Sequence, residues 1–383
     1  MIKNSTLQSS NNMKIAMYID SVASDKGGMQ RDLENISNYL SKRGETVYII
    51  SPFYKLNPSN EIKKAFMVSA DAKLKAGKIT IAPNIIKKLF IIKPNIILVN
   101  GPSINEIFIL LYAKFTQTPC ILIYHADFTL KIGKVINRLY ALIFYRFYYK
   151  IFVQTFRDYK KLIKRGVNYN KLLIFHFSGI DLNKFKCYIK NNKKNGILFV
   201  GRLDSGHLYK GLDLLLFSLK RYQEKFGNNI HLIIIGSGNL RKNYERMAKE
   251  FGLEASFVGD VTDQELTTYY CKSALLVLPS KDEGEGFGLV AVEAIACGTP
   301  VIVSKYAGIA ELIIKYGAGL VIDPYDLESM ALAINNLYKD PDLRKKVIEN
   351  GYILLKKEKL DINEINYSLF KNLQYFSETM SKK

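Results

Sequence analysis

The sequence offers little sulfur chemistry: its four cysteines, Cys120, Cys187, Cys271 and Cys297, stand far apart, and no two form a CxxC pair. That spacing argues against a disulfide framework and against a cysteine-rich zinc site, and it predicts a reducing compartment, by default the cytoplasm. Long hydrophobic runs are missing as well. No stretch reaches the ~18 uninterrupted apolar residues of a membrane-spanning helix, and the opening MIKNSTLQSSNN lacks the apolar core of a signal peptide. There is no internal repeat and no low-complexity tract. Two nucleotide signatures are incomplete. Gly236-Ser237-Gly238 follows a strand-like run without the third glycine of GxGxxG, which speaks against a Rossmann oxidoreductase. Gly201–Gly206 has the GxxxxG spacing, but His207 stands where a P-loop needs lysine. The one DxD, Asp340-Pro341-Asp342, reads as a helix start, so no catalytic metal is expected.

Acidic residues are scarce in one half only. Residues 1–185 carry 28 Lys+Arg against 11 Asp+Glu, and the rest carry 27 against 24, so nearly all of the +20 net charge lies in the first half. Such asymmetry points to a polyanion facing that half: nucleic acid, an anionic bilayer or a phosphorylated acceptor. With 383 residues, 48% hydrophobic and 23% charged, the chain is long enough for two domains with real cores.

Short β-branched runs alternate with helical patterns almost throughout, the signature of βα units and parallel sheets. Strands are expected over 13–20, 46–51, 96–100, 120–124, 151–155 and 172–175, then over 196–200, 231–236, 255–258, 275–280, 300–304 and 319–322. Six per half is the size of a doubly wound sheet. The basic stretch Asn183–Asn195 has linker composition, which predicts a first domain over 1–185, a second over 186–361, and a closing helix over 362–383 able to pack back on the first domain.

Ligands of open α/β sheets bind beyond the carboxyl ends of strands, and the unusual residues gather there. Asp25-Lys26-Gly27-Gly28 follows the first strand, and His125-Ala126-Asp127 follows Cys120–Tyr124. Gly201-Arg202 and Lys210-Gly211 follow the first strand of the second half. The richest segment is DEGEGFGLVAVEAIACGTP, Asp282–Pro300. Gly284, Gly286 and Gly288 free the backbone for close approach, and Leu289–Ala296 reads as a helix closed by Gly298. A glycine loop entering a helix presents amide N–H groups and a positive dipole end, a site for a diphosphate. Glu285 in the loop and Glu293 one turn into the helix can each accept hydrogen bonds from a polyol. Arg202 and Lys210 supply countercharge for phosphate oxygens and for a departing diphosphate. His125 is placed to hydrogen-bond a sugar hydroxyl, with Asp127 to orient it.

These residues resemble the retaining glycosyltransferases of family 4. FVGRL with Lys210-Gly211 resembles the family's phosphate-binding segment; LPSKDEGEGFGLVAVEAIACGTPVI resembles its pair of glutamates separated by seven residues; VIDPYDLESMALAINNLYKDPDLRKKV and SGIDLNKF resemble its later motifs. Gly27-Gly28 before Met29-Gln30-Arg31 resembles its opening glycine pair. The resemblance implies a GT-B fold, two Rossmann-like doubly wound domains facing a cleft. It implies Glu285 on the transferred sugar, Glu293 on the nucleotide ribose, and Arg202 and Lys210 on the diphosphate. The cradle would be completed by Gly28 and by the backbone of Gly286, Phe287, Gly288 and Leu289, with His125 near the donor sugar. The implied activity is retaining, metal-independent transfer of a hexose or N-acetylhexosamine from a nucleotide sugar, a UDP-sugar first, with no cofactor. A glycan acceptor, lipid-linked, in capsule, O-antigen or exopolysaccharide synthesis follows by the same resemblance.

The competing class is a basic nucleic-acid- or polyanion-binding protein; a protein acceptor is a further alternative. Its support is the segment Lys131–Arg165, with ten basic residues, one acid and a crowd of aromatics. No nucleic-acid signature accompanies it, so no nucleic-acid partner is expected. The reading adopted is an amphipathic helix meeting an anionic membrane surface, the alternative being a helix whose aromatics pack as core.

Overall fold

The computed structural model describes residues 12–20, 28–52, 65–70, 74–76, 79–125, 134–187 and 195–381. The chain divides into two compact units, one of residues 1–177 with 366–383 and one of residues 178–365.

The first unit is built on a seven-stranded parallel sheet. Its strands are β1 (Lys14–Ile19), β2 (Thr46–Ser51), β3 (Phe66–Ser69), β6 (Ile96–Gly101), β7 (Cys120–Tyr124), β8 (Lys150–Val153) and β9 (Leu172–Ile174), in the order β3-β2-β1-β6-β7-β8-β9. A short antiparallel ribbon, β4 (Leu74–Ala76) with β5 (Ile79–Ile81), stands apart from it. The helices are α1 (Gly28–Lys42), α2 (Asn84–Ile92), α3 (Glu106–Thr116), α4 (Lys134–Phe144) and α5 (Phe156–Lys164). Strand side chains alternate between two cores, as a period of two requires. Ala16, Tyr18, Ile97 and Val99 pack with Ile85 and Leu89 of α2 and Ile109 of α3. Ile15, Met17, Ile96 and Leu98 pack on the other face with Leu33 and Ile36 of α1. β3 was not expected from the sequence; it is a four-residue edge strand with Phe66 59% exposed, too short and too wet to show a pattern.

The second unit holds β10 (Ile197–Val200), β11 (Leu232–Ile235), β12 (Ala255–Gly259), β13 (Leu275–Leu278), β14 (Val301–Ser304) and β15 (Leu320–Ile322), all parallel, in the order β12-β11-β10-β13-β14-β15. Its helices are α6 (Leu212–Phe226), α7 (Arg241–Glu250), α8 (Asp263–Lys272), α9 (Leu289–Ala296), α10 (Ala310–Tyr316), α11 (Leu327–Lys339) and α12 (Pro341–Lys357). One face of the sheet buries Leu198, Leu276 and Val303 under α9 and α10, the other buries Phe199, Val277 and Ile302 under α6 and α11. A final helix, α13 (Ile362–Ser381), belongs to the first unit from Asn366 onward, where Leu369, Phe370, Leu373 and Phe376 join the core beside α1.

Two parallel sheets with helices on both faces are the GT-B architecture that the motifs implied. Both sheets reverse strand order once, at β1/β6 and at β10/β13, and such switch points open the ligand crevice of this class.

Two expectations change. Of the linker Asn183–Asn195, residues 188–194 lie outside the described residues, while Phe185 is buried in the second unit's core and the backbone of Ile180 bonds to Leu360 and Ile362. Residues 178–187 therefore pack with the second unit. The cysteines were expected reduced, yet Cys187 and Cys271 form a disulfide, with Cα atoms 5.8 Å apart. Their separation of 84 residues hid the contact, which only the α8 packing creates. Among the described residues no helix is long and apolar enough to cross a membrane.

Candidate active site

The β10/β13 switch point brings Lys210 and Glu285 together. Beyond β10 the chain turns at Gly201-Arg202, passes a 3-10 turn at Ser205–Lys210 and enters α6 through Gly211. Beyond β13 it runs through Pro279, Ser280 and the glycine loop into α9, whose bounds match those read from the sequence. The two loops are stitched by a hydrogen bond from Lys281 N–H to the Tyr209 carbonyl, 2.7 Å. Gly211 is required there: its φ is +74°, and an added Cβ would lie 2.1 Å from the Pro279 carbonyl oxygen.

At the centre stands Glu285, 5% exposed. Its Oε2 accepts from Lys210 Nζ at 2.8 Å and from Ser280 Oγ at 2.9 Å. Burial alone would lower the Lys210 pKa, but the Glu285 carboxylate outweighs it and holds the ammonium above its ordinary value. Lys210 therefore carries a fixed positive charge at the carboxyl ends of β10 and β13. Arg202 is half-exposed, its Nε 3.1 Å from Asp204 Oδ2. Asp204 also bonds His207 Nδ1 at 2.6 Å, and that contact holds the carboxyl below its usual range.

Gly288 caps α9 with φ +89° and no side-chain hydrogen bond, so the first-turn amides receive no side-chain cap from that position. Next to Gly286 an added Cβ would meet no described atom within 4 Å, which leaves its backbone approachable. The carbonyls of Gly286 and Phe287 accept from Gly308 and Ile309 N–H, both at 2.8 Å, fixing the loop, and the Phe287 ring is buried beneath it. Leu289 opens the helix, and Glu293 follows one turn later, 5% exposed, its Oε2 accepting from the Tyr270 hydroxyl at 2.7 Å. A carboxylate and an ammonium thus pair in the loop that leads to the α9 N-terminus, with the Arg202 guanidinium on the loop after β10. Such a set can bind a diphosphate on the cations and amides while carboxylate oxygens take polyol hydroxyls.

Three neighbours escaped the sequence reading. Ser280 and Tyr270 hold the two glutamates, and Tyr209 stacks beside Lys210, whose Nζ lies 5.4 Å from the ring centroid. Ser280 ends a strand and was open to inference; the role of Tyr270 depends on α8 lying against α9, which no local pattern announces. The incomplete Gly236-Ser237-Gly238 motif serves as a support: an added Cβ on Gly236 would lie 2.0 Å from the Gly201 carbonyl, and Leu203 N–H donates to Ser237 O at 2.8 Å.

His125, at the carboxyl end of β7, lies in the first unit. The amide nitrogen of Asn100 donates to the Tyr18 carbonyl, which turns its Oδ1 to His125 Nε2, 3.3 Å away. The ring packs edge-on against Phe177, and desolvation pushes its pKa down to about 4, so the imidazole is neutral at physiological pH. Gly28 is the first residue of α1, at the β1 end of the other switch point. Gly27 and Asp127 lie outside the described residues. At β1/β6 a polar cluster accompanies these positions. Asp20 Oδ1 accepts from Tyr18 and Ser103 hydroxyls, while the wholly buried Glu106 accepts from Ser103 N–H and the Tyr140 hydroxyl. Burial pushes the Glu106 pKa up to about 7.

Residues 182–353 match the family described as glycosyl transferases group 1. An uncharacterized glycosyltransferase of Methanocaldococcus jannaschii is 33% identical over 40% of this chain and 38% of its own length. An uncharacterized glycosyltransferase of Haemophilus influenzae is 27% identical over 89% of this chain and 95% of its own. Among solved structures, Anabaena HepE in complex with UDP superposes with a TM-score of 0.77 at 19% identity, covering 95% of this chain and all of that one.

Proposed function

We propose that the chain is a glycosyltransferase on its GT-B fold, and that it moves a hexose or N-acetylhexosamine from a nucleotide sugar, a UDP-sugar first, to a lipid-linked glycan. The observation that carries the donor half is the Lys210–Glu285–Ser280 constellation at the β10/β13 switch point, with the α9 N-terminus beside it. In this reading the diphosphate lies on Lys210, Arg202 and the α9 amides, and Glu293 accepts from the ribose hydroxyls. Glu285 accepts from the sugar hydroxyls, which orients C1 toward the acceptor. As the glycosidic bond breaks, negative charge grows on the diphosphate, where the preorganised cations stabilise it more in the transition state than in the ground state. Those cations support turnover without a metal, and the family resemblance supports retention of configuration. UDP in the HepE structure supports a uridine donor.

The acceptor half rests on a surface of the first unit. Phe90, Leu111 and Phe115 stand 42%, 55% and 80% exposed on α2 and α3, around a groove of ≈ 660 Å³ that also includes Ile86, Tyr112 and Lys114. Lys114 Nζ lies 5.5 Å from the Phe147 ring, which continues the patch toward exposed Leu142 and Ile143 on α4. Lys87, Arg138 and Arg146 are exposed on the same elements. Apolar groups among cations suit an anionic bilayer, where each basic residue contributes about 1 kcal/mol, and a membrane is where a lipid-linked acceptor is met. We therefore place the protein at the inner face of the cell membrane, in surface-polysaccharide synthesis.

Incubating the full chain with a panel of nucleotide sugars and scoring released nucleotide tests the donor half. Release should be largest for one UDP-sugar, persist in EDTA and yield a product with the donor's anomeric configuration. Full activity in Glu285→Ala or Arg202→Ala would refute the assignment.

A further inference from the structure

Three of the four cysteines meet below the donor crevice. Cys187 follows the buried Phe185, Cys271 lies near the end of α8, and Cys297 is the C-cap of α9. Their sulfur atoms all lie within 4.8 Å of one another. Cys187 and Cys271 are joined, while Cys297 keeps its thiol in the same cluster. Cys187 Sγ also lies 3.0 Å from the Cys297 carbonyl oxygen, so a thiol at Cys187 has an acceptor in place once the disulfide opens. Both ends of the reaction are therefore accommodated. Access is provided by a groove of ≈ 560 Å³ that Cys271 lines with Lys184, Lys186, Asp263, Gln264 and Thr267. Two lysines against one aspartate leave the lining with a net positive charge, the setting that favours thiolates.

The cluster touches the donor site through one residue. Tyr270 immediately precedes Cys271; its hydroxyl holds Glu293 and its carbonyl accepts from Thr299 Oγ1 at 2.5 Å. Glu293 and Cys297 lie on the same helix turn, and Cys297 N–H donates to the Glu293 carbonyl at 3.1 Å. The disulfide is thus one of the ties, with the Thr299 bond, on the end of α8 where Tyr270 stands.

We propose that Cys187, Cys271 and Cys297 form a thiol–disulfide exchange site for low-molecular-weight thiols, and that its state sets the affinity for the nucleotide sugar. The coupling rests on the donor-site reading above; the exchange chemistry does not. The thiolate of an incoming thiol attacks Cys271 Sγ from the groove, the Cys187–Cys271 bond breaks, and Cys187 leaves as a thiolate that takes a proton. A second thiol then releases Cys271 and forms the external disulfide, so two electrons and two protons enter the protein and two external thiols are oxidised. Alternatively the Cys297 thiolate resolves the mixed disulfide, expelling the external thiol and leaving Cys271 bonded to Cys297.

The test uses the full chain equilibrated in glutathione buffers from fully oxidised to fully reduced, with alkylation and mass spectrometry for the thiols and calorimetry for UDP. Two thiols should appear across the series, and peptides linking Cys271 to Cys297 should be found in the wild type and vanish in Cys297→Ser. The UDP Kd should rise about tenfold on reduction, the loss of one hydrogen bond to a charged group. It should be redox-insensitive in Cys271→Ser, where no disulfide can tether the end of α8, and in Tyr270→Phe, where the positioning hydroxyl is already gone. Four alkylated thiols in every buffer would overturn the exchange site, and an unchanged Kd between states would overturn the coupling. Zinc uptake by the reduced chain that restores the oxidised Kd would replace exchange with metal binding. UDP binding in neither state would sink the donor reading and the coupling with it, leaving the thiol titration to decide the site alone.

Discussion

Replacing Lys210 with methionine keeps most of the side-chain stem and removes the charge from a pair whose side chains are 17% and 7% exposed and whose polar atoms stand 2.8 Å apart. Glu285 then keeps the Ser280 hydroxyl and loses its countercharge. Orphaning one member of a buried ion pair costs about 3–5 kcal/mol. For a domain of about 150–250 residues each kcal/mol moves the melting midpoint by about 2–4 °C, so Lys210→Met should lose roughly 6–20 °C. Lys210→Met/Glu285→Gln removes both charges and should recover most of the midpoint, because neutralising a buried pair is far cheaper than breaking it. Turnover should not recover: with the cation for the departing diphosphate gone, kcat should stay down by about 10²–10³. Thermal melts with a nucleotide-release assay on the four proteins of the cycle measure both. A Lys210→Met midpoint matching the wild type, or a double variant with normal turnover, would refute the reasoning.

Glu106, its pKa raised by burial to about 7 against 4.5 unperturbed, binds its proton more tightly folded than unfolded. Stability should therefore fall as pH rises through that window, and Glu106→Gln should gain up to about 3 kcal/mol on the wild type between its ends in pH-dependent urea melts. No differential gain with pH would contradict the assignment. His125 has the opposite sign: with its folded pKa down at about 4 against 6.5, stability is lost as pH falls through that interval, and His125→Gln should flatten this acid limb in the same melts. Gly211→Ala should destabilise the second unit by at least about 1 kcal/mol and weaken UDP binding measured by calorimetry, since the added Cβ meets the Pro279 carbonyl in a left-handed conformation. Leu111→Glu/Phe115→Glu should abolish low-salt flotation with anionic liposomes while leaving nucleotide release on soluble acceptors unchanged; retained flotation would remove the membrane face assigned to α2 and α3.

What could be read in advance follows the range of the interactions. α9 was legible to the residue, since LVAVEAIA between Gly288 and Gly298 carries its boundaries locally. The strand pattern was legible because parallel strands buried on both faces are continuous apolar runs. The segment 131–165 is expected from its sequence as an amphipathic helix running into the 151–155 strand, and its apolar side chains divide between core and surface in the structure. Tyr145, Tyr148 and Phe152 are core, whereas Leu139, Leu142 and Ile143 are exposed, because a 3-10 turn at Tyr145–Phe147 ends α4 and rotates the chain into β8. Likewise, the Cys187–Cys271 bond and the Tyr270–Glu293 contact join residues far apart in sequence, and spacing carries no trace of them.

The last helix has a consequence for synthesis. Leu369, Leu373 and Phe376 complete the face on which Ile15, Met17 and Leu98 lie, yet they are translated only after all of residues 178–365. At about 5–20 residues per second, that intervening segment occupies the ribosome for roughly 10–40 s. For that interval the unit made first has α1 on that side of its sheet but lacks the share covered by α13, while the unit made second already has every strand and helix it needs. The order of completion is thus reversed relative to the order of synthesis, and a nascent-chain binder is needed most by the half that emerges earliest.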